Sequence, residues 1–204
     1  MRKIYLDYNA TTPLDPKVAA EMRAALEENY GNPSSPHWAG LPARLRVEKS
    51  RAQVAALLGC AADEIVFTSG GSEANNLALK GVFFARGNRP AHIITSEIEH
   101  PSILEPCGFL ERQGARITRL KVDGAGRIDP DDLRRAITRD TLLISLMHAN
   151  NEVGTIQPIE ACARIAKEQG VPLHTDAAQS VGKIPTRVDE LGVDFLSIAG
   201  HKLY

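Results

Sequence analysis

Residues 142–175 decide the fold class: Leu142-Leu-Ile-Ser-Leu-Met-His148, later Ile159-Glu-Ala-Cys-Ala-Arg-Ile-Ala-Lys-Glu-Gln169, then Gly170 and Val171-Pro-Leu-His-Thr175. The first and last runs are short and rich in Leu, Ile and Val, as buried strands are. The stretch between them is amphipathic and closes at a glycine, the residue that most easily takes the left-handed conformation ending a helix. Strand, helix and strand in that order form the unit of a parallel sheet covered by helices.

Outward from this segment the alternation continues in both directions. Strands are predicted over 64–68, 92–96, 116–122, 142–148, 171–175 and 194–198, and helices over 16–29, 130–137 and 159–169 and from Glu73 to about Arg86. Asp15-Pro16 and Asp129-Pro130 each place an N-cap aspartate before a proline at the first helical position. The first sixty residues differ, because Gly31-Asn-Pro-Ser-Ser-Pro is a turn-rich loop between two helical stretches with no strand pattern around it. The expected class is therefore α/β. Residues 1–62 form an N-terminal helical extension and loop, and residues 63–204 form a large domain with a mostly parallel sheet and helices on both faces. Lys202-Leu203-Tyr204 follows directly on a predicted strand. More chain or another subunit is thus expected to cover the sheet.

At 204 residues, 43% hydrophobic and 24% charged, the chain has the composition of a folded soluble protein. Its 24 basic and 25 acidic residues leave a formal charge of −1. No bulk attraction to nucleic acid or anionic lipid follows, and neither is expected as a partner. The longest apolar stretch, 142–147, is broken by Ser145 and is far too short to span a bilayer. The N-terminus reaches Asp7 before any apolar signal region can form, so the expected compartment is the cytoplasm. Cys60, Cys107 and Cys162 are widely spaced without a CxxC pair, and are expected to be reduced and buried.

Three short segments carry chemistry. Thr68-Ser-Gly-Gly-Ser-Glu73 follows a predicted strand and opens a helix. Gly70 and Gly71 there suit a phosphate, through backbone N–H groups and the helix dipole, with a hydroxyl from Ser69 or Ser72. The same residues also suit an ordinary turn capped by Ser72. Asp176, with Gln179 three residues on, stands just past the strand at 171–175, the address at which open α/β sheets bind ligands. Asp176 is equally an ordinary cap for the next turn. Ser197-Ile-Ala-Gly-His201-Lys202 presents a lysine at a strand end, where it can serve as an imine-forming amine. A phosphate cradle, an acid for a ring nitrogen and such a lysine together are the set that pyridoxal phosphate requires. His100, after the strand at 92–96, can lie over a cofactor ring or move protons. Asn150-Asn151 offers amides to a ring hydroxyl or a substrate carboxylate, or forms a plain loop. Glu97, Glu99 and His100 lack the helical His pair or cysteine ligands of a zinc site, so no metal is expected.

Taken together, Tyr5-Leu-Asp-Tyr-Asn-Ala-Thr-Thr-Pro, Gly31-Asn-Pro-Ser-Ser-Pro-His, Thr68-Ser-Gly-Gly-Ser-Glu-Ala-Asn-Asn, Glu99-His-Pro, Met147-His-Ala-Asn-Asn-Glu-Val-Gly-Thr-Ile-Gln-Pro-Ile, His174-Thr-Asp-Ala-Ala-Gln and Gly200-His-Lys resemble cysteine desulfurases of the NifS/IscS group. The resemblance runs from end to end. It implies the fold type I pyridoxal-phosphate architecture and a homodimer with shared active sites. It also implies conversion of L-cysteine to L-alanine, with sulfur passed to an enzyme cysteine as a persulfide for iron–sulfur cluster and other sulfur biosynthesis. A sulfur-acceptor or iron–sulfur scaffold protein is then an expected partner.

Carried over by motif, Lys202 is the cofactor-linked lysine and Asp176 the partner of the pyridine nitrogen, while Gln179 bonds the ring hydroxyl. His100 stacks on the ring and handles protons. Gly71 and Ser72 hold the phosphate with His201, and Asn151 faces the cofactor hydroxyl or the substrate carboxylate. Ala199 departs from the pattern, since many relatives have a phosphate-binding serine there. The resemblance further implies that the C-terminal part of the large domain and a small domain lie outside this sequence, together with the acceptor cysteine and a substrate-binding arginine. None of Cys60, Cys107 or Cys162 matches that cysteine, so the chain alone is expected to be inactive. A selenocysteine lyase, another enzyme of the wider class, or a non-catalytic subunit of a split enzyme are the alternatives.

Overall fold

Successive strand side chains point to opposite faces of a sheet, so a strand covered on both sides has to be apolar throughout. The computed structural model, which describes residues 3–204, shows this arrangement. Its strands β1 (His92–Ser96), β2 (Arg116–Leu120), β3 (Thr141–Met147), β4 (Leu173–Asp176) and β5 (Phe195–Ser197) form a parallel sheet in the order β2-β1-β3-β4-β5. The helices are α1 (Pro16–Glu28), α2 (Gly40–Leu58), α3 (Gly71–Ala85), α4 (Pro101–Arg112), α5 (Pro130–Ala136), α6 (Ile159–Glu168) and α7 (Val188–Leu191). The α/β class with a parallel sheet and helices on both faces is thus as expected.

Adjacent residues of one strand feed two separate cores. Ile93 of β1 and Leu143 of β3 pack with Leu79 and Phe83 of α3 and with Ile103, Cys107 and Leu110 of α4. Ile94 and Ile144, their chain neighbours, pack with Leu133 of α5, Ile159 and Cys162 of α6 and Leu191 of α7. Each fully buried aliphatic side chain of this kind contributes roughly 1.5–3 kcal/mol. The chain enters at β1, crosses to β2 and returns to β3 on the other side of β1. That reversal places the topological switch point at the carboxyl ends of β1 and β3.

The chain forms two compact units. Thr68–Gly200 holds the sheet and α3 to α7; the other unit runs to Phe67 and takes in His201–Tyr204. In this second unit, the Asp15 side chain caps α1 by accepting from the Lys17 N–H at 2.7 Å. The loop before α2 needs glycine at both ends: a Cβ on Gly31 would stand 1.9 Å from the Ala39 carbonyl oxygen, and one on Gly40 would stand 2.3 Å from that of Ser35. Arg46 of α2 donates to Asn29 and to Glu21 of α1, each at 2.9 Å.

Most predicted elements shift by one or two residues at their ends, but the strand expected over 64–68 is absent. Ala62–Glu64 is a 3-10 turn, and residues 65–68 belong to no strand, leaving Val66 67% and Phe67 50% exposed. An apolar run reports hydrophobicity, whereas a strand also needs a partner edge. The Phe67 ring here meets the Arg51 guanidinium instead. Cys107 and Cys162 are buried as expected, while Cys60 is only half-buried. Among the described residues no helix is long and apolar enough to cross a membrane.

Candidate active site

Polar residues gather within Thr68–Gly200 where the sequence changes from apolar strand to loop. β4 ends in Asp176, whose side chain is buried although carboxylates seldom are. Its Oδ1 accepts from the Ala178 N–H at 2.9 Å, and its Oδ2 from Asn75 Nδ2 at 2.8 Å. Asp176 therefore does fasten the turn after β4, as the simplest sequence reading has it, with one oxygen only. Both donors are neutral amides.

Asn75 also bonds the next residue of the cluster. Its Nδ2 donates to Ser102 Oγ at 2.9 Å, and Ser102 Oγ lies 2.8 Å from His100 Nδ1. His100 is the N-cap of α4, and its Nδ1 accepts from the Ser102 backbone N–H at 3.1 Å. Two residues far apart in sequence, His100 and Asp176, are in this way joined through Asn75 and Ser102.

Glu99 lies beside His100 in the chain and is itself buried. Its Oε1 accepts from the Ser96 hydroxyl at 2.7 Å and from the Met147 N–H at 2.9 Å, while Oε2 has no partner. Burial outweighs those two bonds and pushes the carboxyl up to about 8, so Glu99 is a neutral acid at pH 7. His174, two residues before Asp176, is buried between Ser145 Oγ and Ser197 Oγ, each at 2.9 Å. Burial pushes its imidazole down, so it too is neutral.

At the start of α3 the N-cap is Gly70, and no side chain caps the helix. Ser72 thus does not make the capping bond that the simpler reading required. Glu73 instead turns back to accept from the Ser69 N–H at 2.5 Å, and the Ser69 hydrogen bonds hold its carboxyl below the usual range. A Cβ on Gly71 would meet Ala199 Cβ at 3.4 Å, an ordinary contact, so steric demand does not explain the glycine. An uncapped helix N-terminus with small residues is suited to an anion.

The two asparagines after β3 divide the roles expected of them. Asn150 builds the loop: its Oδ1 accepts from the Glu152 and Val153 N–H groups and its Nδ2 donates to the Ile98 carbonyl. Asn151, half-buried, donates to Glu152 at 2.8 Å. Gln179 sits in the turn after β4, with Oε1 accepting from Lys183 Nζ at 3.3 Å. Lys202 and His201 belong to the other unit, in the 3-10 turn Gly200–Lys202. Thr12 donates to the His201 carbonyl through both its N–H and its hydroxyl, and Thr11 Oγ1 lies 3.0 Å from His201 Nδ1. The Ala-Thr-Thr stretch near the N-terminus therefore holds the turn that carries Lys202.

The profile of the family described as "Aminotransferase class-V" matches residues 4–204. The chain belongs to this family. Members of the class-V aminotransferases use pyridoxal phosphate. The chain is 55% identical over 203 residues to the cysteine desulfurase IscS of Dictyoglomus turgidum, covering 100% of this chain and 52% of that protein. It is 47% identical over 205 residues to the mitosomal cysteine desulfurase of Trachipleistophora hominis, covering 99% and 46%. Among solved structures, SspA in complex with cysteine superposes with a TM-score of 0.95 at 43% identity, over 97% of this chain and 57% of that one. A NifS-like protein superposes with a TM-score of 0.96 at 42% identity, over 98% and 56%. The resemblance to cysteine desulfurases is thus borne out, and this class-V chain spans about half the length of the curated relatives it matches.

The residues present fit the family's cofactor. A buried carboxylate bonded by neutral amides suits a cationic ring nitrogen, and the uncapped start of α3 suits a phosphate. Sequence reasoning assigned no role to Asn75, Ser102 or Glu99. For Asn75 a signal was available, since it shares the buried face of α3 with Leu79 and Phe83 at intervals of four, a polar residue in a core position.

Proposed function

We propose that this chain forms the cofactor-binding half of a pyridoxal-phosphate-dependent cysteine desulfurase. The observation that carries the reading is the buried Asp176 carboxylate at the tip of β4, met by neutral amides, in a chain 55% identical to a desulfurase. Bound pyridoxal phosphate supplies an electron sink for a carbanion at the substrate α-carbon. Asp176 keeps the ring nitrogen protonated, and Gln179 bonds the ring hydroxyl. Gly71 and Ser72 bind the phosphate with His201, and Asn151 binds the ring hydroxyl or the substrate carboxylate. Lys202 holds the cofactor through Nζ, then works with His100 to move protons at the substrate.

The net reaction takes L-cysteine and an acceptor thiol to L-alanine and a persulfide on that acceptor. The acceptor has to be a thiolate, and the three cysteines here are poor candidates. Burial pushes Cys107 and Cys162 up to about 12, and raises Cys60 as well. On this reading the acceptor thiol comes from outside these 204 residues, and the chain alone releases no sulfide. A homodimer and transfer of the persulfide sulfur to an iron–sulfur scaffold complete the proposal.

The test is to load the chain with pyridoxal phosphate, reduce with borohydride and map the peptides. The pyridoxyl group is expected on Lys202; finding it on Lys80 or Lys183 overturns the assignment. Adding the remaining half of a full-length relative as a second polypeptide should then yield alanine from L-cysteine. A keto acid as product would instead mark an aminotransferase, and alanine only from selenocysteine would mark a selenocysteine lyase. Failure of any half to restore turnover would mark a non-catalytic subunit.

A further inference from the structure

We propose that Asn75 and Ser102 are positioning residues that hold His100 in its Nε2-protonated tautomer and couple its ring to the Asp176 carboxylate. The proposal deepens the role given to His100 above, and rests on that reading for its catalytic consequence alone.

The hydrogen-bond directions follow from what each group is able to donate. The Ser102 backbone N–H, 3.1 Å from His100 Nδ1, can only donate, so Nδ1 has to present its lone pair. The other tautomer would set two N–H groups against each other. The Asn75 amide is oriented by Asp176: with Oδ1 turned toward the carboxylate two oxygens would repel, so Nδ2 faces Oδ2 at 2.8 Å. The second Nδ2 hydrogen goes to Ser102 Oγ at 2.9 Å. Because Nδ1 carries no hydrogen, the Ser102 hydroxyl donates its own to His100 Nδ1 at 2.8 Å, sharing that lone pair with the backbone N–H. Asp176, Asn75, Ser102 and His100 form one directed chain, whose far end leaves the ring proton on Nε2. A side chain kept only for packing would not leave an amide oxygen buried without a partner, as Asn75 Oδ1 is. In the catalytic reading, His100 then presents its Nε2–H as a hydrogen-bond donor, and Lys202 takes up the substrate proton.

The test requires no cofactor. The chain is labelled with nitrogen-15 in its six histidine rings and two-bond proton–nitrogen correlations are recorded at about pH 8, where an ordinary imidazole is neutral. His100 is identified by the resonances lost in His100→Gln. The expected spectrum shows an unprotonated Nδ1 and a protonated Nε2. Asp176→Asn should move the Nδ1 resonance, and that response should be lost when Asn75→Leu or Ser102→Ala is already in place. Circular dichroism checks folding of each variant. Should Asn75→Leu not fold, Ser102→Ala, which deletes a single oxygen, carries the same comparison. An Nδ1-protonated ring overturns the proposal, and so does an Asp176→Asn response that persists undiminished in the Ser102→Ala chain. Loading at Lys202 is a separate measurement, so either proposal is able to fail without the other.

Discussion

Replacing Glu99 by glutamine should reshape the dependence of stability on pH. The native carboxyl is pushed from its ordinary 4.5 up to about 8 by burial, against the lowering effect of the Ser96 hydroxyl and the Met147 N–H. Between those two values the folded chain keeps a proton that the unfolded chain has released. Stability therefore falls as pH rises through this interval, by about 1.4 kcal/mol per pH unit. Over the whole interval the loss is about 5 kcal/mol, a large share of the 5–15 kcal/mol typical of a domain. The buried histidines act in the opposite sense. His92, His148 and His174 are all lowered by burial from 6.5, so below that value the unfolded chain binds more protons and stability rises with pH. That rise is half spent at pH 6.5 and gone by about pH 8, and it does not involve position 99, so between pH 6.5 and 8 the native chain should lose about 2 kcal/mol relative to one that cannot ionise there. Glu99→Gln keeps an oxygen for Ser96 and Met147 and cannot ionise. The assay is urea unfolding followed by circular dichroism from pH 5 to 9 on both chains without cofactor. The variant should rise through the histidine range and level off by about pH 8, while wild type falls below that curve by about 2 kcal/mol between pH 6.5 and 8. Parallel curves from pH 6.5 to 8 would refute the claim that a buried neutral acid sits at position 99.

Three other outcomes are expected. Alkylation of the native chain followed by mass spectrometry should label half-buried Cys60 first and reach Cys107 and Cys162 only on unfolding; labelling of Cys107 at the rate of Cys60 would contradict the packing. Leu143→Ala should cost about 2–5 kcal/mol and Phe83→Ala about 3–5 kcal/mol in urea unfolding, because both side chains are fully buried in the core formed with α3 and α4. Asp176→Asn should still take a reducible pyridoxyl label on Lys202 but lose most alanine formation once the remaining half of a full-length relative is added. Near-normal turnover would contradict the role given to Asp176.

The fold was legible where a local pattern decides it. The caps of α1 and α5 and the glycine after α6 each lie within one turn of the helix they bound, and the sequence reading found all three. α4 hid itself: it is capped by a histidine rather than Ser, Thr, Asp or Asn, and Pro106 lies inside it. The residues at 65–68 were misread because pairing depends on an edge that the local sequence does not contain. In the same way, Asp176 and His100 stood out as polar residues just past apolar strands. Their connection through Asn75 escaped notice, since residues 75 and 176 meet only after α3 has packed against the sheet. Long-range contacts of this kind carry no local signature beyond an amide at a core position.

The division of apolar residues between the two sides of the sheet has a consequence for redesign. Asn75, Ser102 and His100 are carried on α3 and α4 or at the start of α4, whereas α5, α6 and α7 pack from the opposite side. Ile144, Leu133, Ile159 and Leu191 belong to an apolar cluster separate from the one that α3 and α4 help to build, and energetic effects at separated sites without shared partners add. The α5–α7 side is thus an orthogonal register for mutation. It can be recombined or stabilised as an independent library while the histidine-bearing side is held constant.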